Sequence, residues 1–355
     1  MRIAYLAICY SAPESGIGKK IQDQIKYWRD SGHVVSLYLL TNRANNDEWM
    51  ARGLAKKIWI DDRFLTKMAN RKNALKLAQK NFSQIVYFRD AFPMPMGSLK
   101  IKKVLEVNSI QKNEVSSQSF VKRLAYKLLS KRFYGQWDGV VYVTREIEDS
   151  LKREVPALIN RPSAVISNGI DFKRIPSLPV SLENNLNFVF LGEPGLLWNG
   201  IDSIIDLARV LPNCTFHIIG ENQKSKSEIN NNVRFYGFMH QDEYQQILMK
   251  CHVAIGTMGA ERKQIKQGCS LKTREYLASG LPIVIRYWDS DFHEGTTDFI
   301  LNIPLDEKPL SNYANQILAF SEKWKHSRVP ISNVSTISIE SKENQRLEFF
   351  KSILF

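Results

Sequence analysis

The chain has 355 residues, 44% of them hydrophobic and 11% aromatic, which suits two domains of ordinary size and excludes wholesale disorder. Its four cysteines, Cys9, Cys214, Cys251 and Cys269, are scattered without CxxC or His–Cys spacing, which argues against a zinc site and a disulfide framework. The net charge of +13 is uneven: residues 1–180 hold 31 Lys and Arg against 16 Asp and Glu, a balance of +15, and the rest stands at −2.

A basic first half points to an anionic partner there: a membrane surface, a lipid diphosphate or nucleic acid. Surplus lysines that only aid solubility are the plainer alternative. Residues 1–6 read as a first strand rather than a signal peptide, since the apolar run is short and Glu14 follows. No segment approaches the ~20 apolar residues of a membrane span. A reduced, cytoplasmic protein is therefore expected.

The first strand, residues 2–7, runs into a loop containing Gly16 and Gly18, then a helix with Ile21, Ile25 and Trp28 on one face. Glycines between a first strand and first helix let backbone approach a ligand. The loop is not a Walker loop, because the four residues between Gly and Gly-Lys are missing. A dinucleotide fingerprint is also unsupported: the third Gly is absent, and no acidic residue ends the strand at 34–40. Gly32-His33-Val34-Val35 opens that strand, with His33 as a loop residue.

Residues 56–60 suggest a third strand and 66–81 a helix. The strand at 85–88 delivers Arg89 and Asp90 to its C-terminal end, and the strand at 104–108 delivers Glu106 and Asn108. Strand ends line the ligand crevice of open α/β sheets, so Arg89, Glu106 and Asn108 are site candidates, with loop capping as the alternative. Residues 119–134 form a basic amphipathic helix: Val121, Leu124, Ala125, Leu128 and Leu129 stripe one side, with Lys122, Arg123, Lys127, Lys131 and Arg132 opposite or flanking. Such a helix can lie on an anionic membrane or pack on the sheet with a solvated basic face. A strand at 139–143, a Thr144 cap and a helix at 145–154 follow. Ala164 to Asp171 contains the tight turn Asn168-Gly169, and residues 172–186, with Pro176 and Pro179, read as a linker.

The second half restarts the alternation, with strands at 187–192, 215–220, 233–238 and 253–256. Helices are read at 201–210 and 242–249, the first entered through Trp198-Asn199-Gly200-Ile201-Asp202. Alternation of this kind means a parallel sheet covered on both faces. Residues 309–325 and 338–353 read as terminal helices.

The most informative stretch is Ser270 to Pro282. Ser270, Leu271, Lys272 and Thr273 open a short helix, Gly280 stops it, and Pro282 leads into the strand Ile283-Val284-Ile285. A helix start offers unpaired N–H groups and a positive dipole end, which suit a phosphate or diphosphate. Glu275, about one turn in, is placed to accept hydrogen bonds from a sugar hydroxyl. Taken alone, the stretch reads equally as a core helix before a core strand.

In their order, these pieces resemble the GT-B glycosyltransferases, especially the large retaining family 4 (glycosyl transferases group 1). The quoted pieces are the Gly-rich loop, Gly32-His33-Val34-Val35, Asn168-Gly169-Ile170-Asp171, Gly200-Ile201-Asp202, and Glu275 with Leu277-Ala278-Ser279-Gly280-Leu281-Pro282-Ile283. The family pairs this Glu with an earlier one, which here falls on Gln267. Its diphosphate-binding Arg and Lys precede the Gly-Ile/Val-Asp segment, where this chain has Trp198 and Asn199. Relocated charge on Lys272, Arg274, Arg262 or Lys263, with the amides of residues 270–273, is the reading that fits.

The resemblance implies two Rossmann-like domains facing across a cleft. Residues 1–175 would take the acceptor, joined by a crossing helix at 338–355, and residues 187–337 would take a nucleotide-sugar donor. Glu106, Asn108 and Gln267 would be catalytic. Gly16, Gly18, Asn199, Phe238, Ser270, Leu271, Lys272, Thr273 and Glu275 would bind the donor. The implied reaction transfers a sugar to a glycan or lipid-linked acceptor in cell-surface polysaccharide synthesis, with retention. No cofactor or metal is expected, since Asp61-Asp62 and Asp289/Asp291 read as turn residues, and no nucleic acid, since no motif for it is seen. Peripheral attachment to the inner face of the plasma membrane through 119–134 would serve a lipid-linked acceptor. A nucleotide-sugar epimerase of the same architecture, a non-catalytic nucleotide-sugar-binding subunit and, from the basic first half alone, a nucleic-acid binder remain open.

Overall fold

Strands buried on both faces need near-continuous apolar runs, and the first strand β1 (Arg2–Ile8) is such a run, buried from Ile3 to Ile8. In the computed structural model it lies inside a parallel sheet with β2 (Val34–Thr41), β3 (Ala55–Ile60), β4 (Ile85–Arg89), β5 (Lys102–Val107), β6 (Gly139–Tyr142) and β7 (Ser163–Val165). The order is β3-β2-β1-β4-β5-β6-β7, so the chain reverses its direction of progress between β1 and β4. The structure describes residues 1–60, 64–81, 83–89, 100–110, 113, 120–222, 231–293, 295–306 and 308–355. Asp61, Asp62, Asp90 and Ser119, and the side chains of Val121, Lys122 and Ala125, which entered the expectations above, lie outside the described residues.

Helices interleave with these strands: α1 (Gly16–Asp30), α2 (Arg43–Ala51), α3 (Phe64–Lys80), α4 (Phe120–Gly135) and α5 (Arg145–Glu154). Ser15 caps α1, its side chain accepting from Gly18 N at 3.1 Å, and Thr144 caps α5 as expected. The helix α2 was not foreseen. Asn42 caps it through Asn45 N, and of its residues Trp49 alone is buried, too little to leave a periodic signal.

The chain forms two compact units, Met1–Gly169 with Ile339–Phe355, and Ile170–Ser338. The second unit holds β8 (Asn187–Leu191), β9 (Thr215–Ile219), β10 (Val233–Gly237), β11 (Val253–Ile255), β12 (Gln267–Gly268), β13 (Ile283–Ile285), β14 (Trp288–Asp289) and β15 (Ile300–Asn302). Its main sheet is parallel in the order β10-β9-β8-β11-β13-β15, and β12 pairs with β14 alone. Its helices are α6 (Ile201–Val210), α7 (Gln241–Leu248), α8 (Leu271–Ala278) and α9 (Ala314–Trp324). Residues 172–186, read as a linker, instead pack on this unit: Ile175 is buried, and Leu178 N donates to Ser279 O at 2.9 Å.

The last helix, α10 (Ile339–Leu354), belongs to the first unit. Leu347, Phe350 and Ile353 join the core formed by β1, β2, β4 and α1. Gly139 opens β6 beneath this helix, where a Cβ would stand 2.8 Å from Ile353 Cδ1. No helix among the described residues is long and apolar enough to cross a membrane.

Candidate functional site

In the second sheet the chain reverses between β8 and β11, and in open α/β sheets ligands bind outside the strand ends at such a reversal. The loops after these two strands are locked together. Met258 N donates to Asn199 O at 3.2 Å and Gly259 N to Trp198 O at 3.1 Å. Gly200 has φ 70, and a Cβ there would meet Met258 Cβ at 2.7 Å. Next door Gly220 has φ 92, and a Cβ would fall 1.7 Å from Gly192 O, so these loops approach as bare backbone.

The helix α8 starts beside this reversal: the position a Gly256 Cβ would take, just past β11, is 3.1 Å from Thr273 Cγ2. Ser270 stands at the N-cap but its side chain makes no capping bond, while Thr273 Oγ1 donates to Ser270 O at 2.8 Å. Lys272, partly buried, donates from Nζ to Asn199 Oδ1 at 3.1 Å and lies 4.0 Å over the Phe190 ring. Asn199 is buried, and its Nδ2 donates to Glu193 O at 2.8 Å, so the amide is fixed with its oxygen toward the lysine. Among the described residues Lys272 has no carboxylate partner, and burial pulls its pKa down to about 7. Lys272, Asn199 and the α8 start therefore form one group, with Leu271 partly buried at the first helical position.

Glu275 follows one turn on, where its Oε1 accepts from Tyr244 OH at 2.6 Å. Tyr244 went unnoticed in the sequence because it comes from α7, two strands earlier. Gln267 lies on β12 just ahead of α8, partly buried, its backbone in register with Trp288. Phe238 follows β10, is 76% exposed and sets its ring edge-on to His240 at 5.1 Å. No contact joins it to Lys272 or Glu275 among the described residues.

Three of the cations expected to hold a diphosphate are committed elsewhere. Arg274 is fully buried and paired with Asp289 at 2.7 and 3.0 Å and with Asp291 at 2.6 Å. It turns inward because residues two apart on a helix point in different directions. Asp289 and Asp291, read as turn residues, are its counter-ions. Arg262 makes a two-pronged pair with Asp202 at 2.9 and 2.7 Å, and Lys263 Nζ sits 3.4 Å over the Trp198 ring.

The first-unit candidates also form a group. Glu106 is fully buried on β5, with Lys20 Nζ at 2.7 Å, Arg89 Nε and Arg346 Nη2 each at 3.7 Å, and Tyr87 OH donating to its other side. Burial pushes its pKa up, but Lys20, Arg346 and Arg89 together hold it well below the usual carboxylate range. It is thus a permanently charged internal counter-ion, which corrects the expectation of a catalytic group at the strand end. Asn108 is partly buried and accepts from Lys20 Nζ at 3.2 Å. Gly16 opens α1 and is exposed, whereas the Gly18 N–H is spent on Ser15. A Cβ on Gly18 would lie 2.4 Å from Pro13 O, so loop packing requires a glycine here. Lys20 itself was missed, although it and Gln24 share the buried face of α1 with Ile21, Ile25 and Trp28. Polar residues on a core-facing stripe are the signal that could have found it.

Two Rossmann-like parallel sheets in one chain define the GT-B fold. Residues 187–319 match the family described as glycosyl transferases group 1. Sucrose-phosphate synthase from Thermosynechococcus elongatus is similar with a TM-score of 0.73 at 12% identity, over 99% of each chain. Anabaena HepE in complex with UDP-glucose follows at 0.69 and 16%, over 99% of this chain and 100% of that one. The lipopolysaccharide outer core galactosyltransferase WaaB gives 0.67 and 12%, over 99% of each. No curated protein matches the chain.

Proposed function

We propose that this chain moves a sugar from a nucleotide-sugar donor to a glycan or lipid-linked acceptor, in cell-surface polysaccharide synthesis. The observation that carries it is Lys272: a partly buried ammonium with no carboxylate partner among the described residues, at a helix start, at the reversal of a parallel sheet. A diphosphate supplies the negative charge that this position lacks. Glu275, held by Tyr244, accepts from the ribose hydroxyls. Gln267 hydrogen-bonds the sugar without carrying charge.

As the leaving diphosphate develops charge, Lys272 and the α8 amides stabilise it in place of a metal ion. We take the reaction to be metal-independent and retaining. The acceptor is taken by the first unit, and α4 supports a lipid-linked one. Phe120 and Leu128 are 69% and 68% exposed, with Leu124 exposed between them, and exposed Arg123, Lys127, Lys131 and Arg132 flank this stripe. That arrangement suits an anionic leaflet.

A thermal-shift screen over UDP, GDP, ADP, CMP and their sugars, followed by calorimetry, tests the reading. One nucleotide series should raise Tm. Glu275→Ala should weaken it by about 1.5–3 kcal/mol, the worth of a charge-assisted hydrogen bond. Gln267→Ala should impair transfer more than binding of the bare nucleotide. If no nucleotide binds, the proposal fails.

A further inference from the structure

At the reversal of the first sheet, between β1 and β4, Arg89 and Asn108 carry hydrogen-bond donors that no described residue receives. The orientation of Asn108 follows from chemistry. Lys20 Nζ can only donate, so the amide atom 3.2 Å from it is Oδ1. The Nδ2 group then faces away, buried and without an acceptor among the described residues. Arg89 donates from Nη1 to Ile8 O at 3.2 Å, but its buried Nε has no hydrogen-bond acceptor, Glu106 standing 3.7 Å off.

The charges around these two groups do not cancel. Glu106 is met by Lys20, Tyr87 and Arg346, and Glu343 by Arg346, Gln24 and Trp28. Among the described residues three cations, Lys20, Arg89 and Arg346, thus share two carboxylates, and the surplus lies on Arg89, whose side chain is 15% exposed. Arg89 and Asn108 have the Lys20–Glu106 pair as common neighbour, and the exposed Gly16 opens α1 from the loop after β1. Unspent donors with surplus positive charge at a sheet reversal suit a ligand rich in acceptors and negative charge.

We propose that Arg89 and Asn108 hold an oxyanion of the acceptor, a phosphoryl or carboxylate group, at this reversal. The inference rests on the glycosyl-transfer reading, in which the first unit takes the acceptor. It narrows that acceptor to an acidic one: a phosphate-linked lipid carrier or an acidic glycan.

The test keeps the donor site filled. Protein saturated with the nucleoside diphosphate that binds tightest is titrated with inorganic pyrophosphate, glucuronate and glucose. An anion should bind as a second ligand and glucose should not. Pyrophosphate binding over glucuronate indicates a phosphoryl acceptor, and the reverse an acidic sugar. Arg89→Gln and Asn108→Leu should each weaken the anion about tenfold, as loss of a charge-assisted or buried hydrogen bond implies, with nucleotide affinity unchanged. Asn108→Leu leaves the Glu106 ion pairs in place, so it still reports if Arg89→Gln fails to fold. The proposal is overturned if neither anion binds the nucleotide-saturated protein, or if the folded variants bind anion as tightly as the parent. The nucleotide titration alone reads the donor site, so the two failures are told apart.

Discussion

Lys272 changes charge near neutral pH, because burial holds its pKa at about 7. Below that pH the ammonium is present and above it is lost, so nucleotide affinity should fall as pH rises from about 6 to 8.5. Lys272→Met should bind weakly with no such dependence, which calorimetry across that range would read. Ligand-free stability has the opposite sign. An unfolded lysine keeps its proton to about pH 10.4, so the folded state bears the penalty in full below pH 7 and is relieved as pH rises toward 10. Lys272→Met should therefore raise Tm more at pH 6 than at pH 9.5. Glu106 is the contrasting residue, since removing one partner of a buried ionic cluster leaves the others uncompensated. Glu106→Gln should lower stability by about 3–5 kcal/mol in urea denaturation. A loss below 1 kcal/mol would show that the cations relax around it. The sequence shows why Lys272 sits at a helix start, but it does not distinguish Lys272 from Arg274, two positions on. That choice depends on Asp289 and Asp291, which reach back from beyond the next strand.

Among the elements, α4 differs most from its expected packing. The stripe was drawn through Val121, Leu124, Ala125, Leu128 and Leu129, but the buried side is Tyr126, Ser130, Phe133 and Tyr134. Phe133 sets its ring against Trp137 at 5.5 Å, so aromatics fasten the helix and leave Phe120, Leu124 and Leu128 outside. Near an anionic surface each Lys or Arg is worth about 1 kcal/mol. Replacing Arg123, Lys127 and Lys131 with Gln should then weaken binding to phosphatidylserine vesicles by roughly a hundredfold at low salt, and by less at high salt. Leu128→Asp should weaken it at both. Parent protein that fails to sediment with such vesicles would end the membrane reading. Periodicity alone misled here because leucine and aromatic positions alternate around the helix, and either set could have faced the sheet.

At the scale of the whole molecule, the two parallel sheets were legible because their strands are short apolar runs separated by helical stretches. The strand order was not, since it depends on which side of β1 or β8 each crossover takes. Nor was the unit boundary: residues 172–186 contain prolines and look unstructured, yet Ile175 and Leu178 dock on the second unit. The placement of α10 with the first unit was expected from the resemblance, and its contacts give the physical reason. Arg346 lies fully buried between Glu343 and Glu106, and Phe350 packs on Tyr87 at 5.1 Å. Removing residues 339–355 should abolish the cooperative unfolding of the first unit while the second still melts, as calorimetry would show. Retention of both transitions would mean the helix is dispensable.

This arrangement also sets an order of events during synthesis. A chain leaves the ribosome from its N-terminus, and domains generally fold as they emerge. Of the two units, the first to emerge lacks the helix that completes its core and supplies Arg346, and that helix is translated only after the whole of the second unit. The second unit has all its residues outside the ribosome sooner. Of the two, the unit that begins first is therefore completed second, holding apolar surface open while the other is made, and a message cut short ahead of this helix would yield a nascent chain that chaperones must hold.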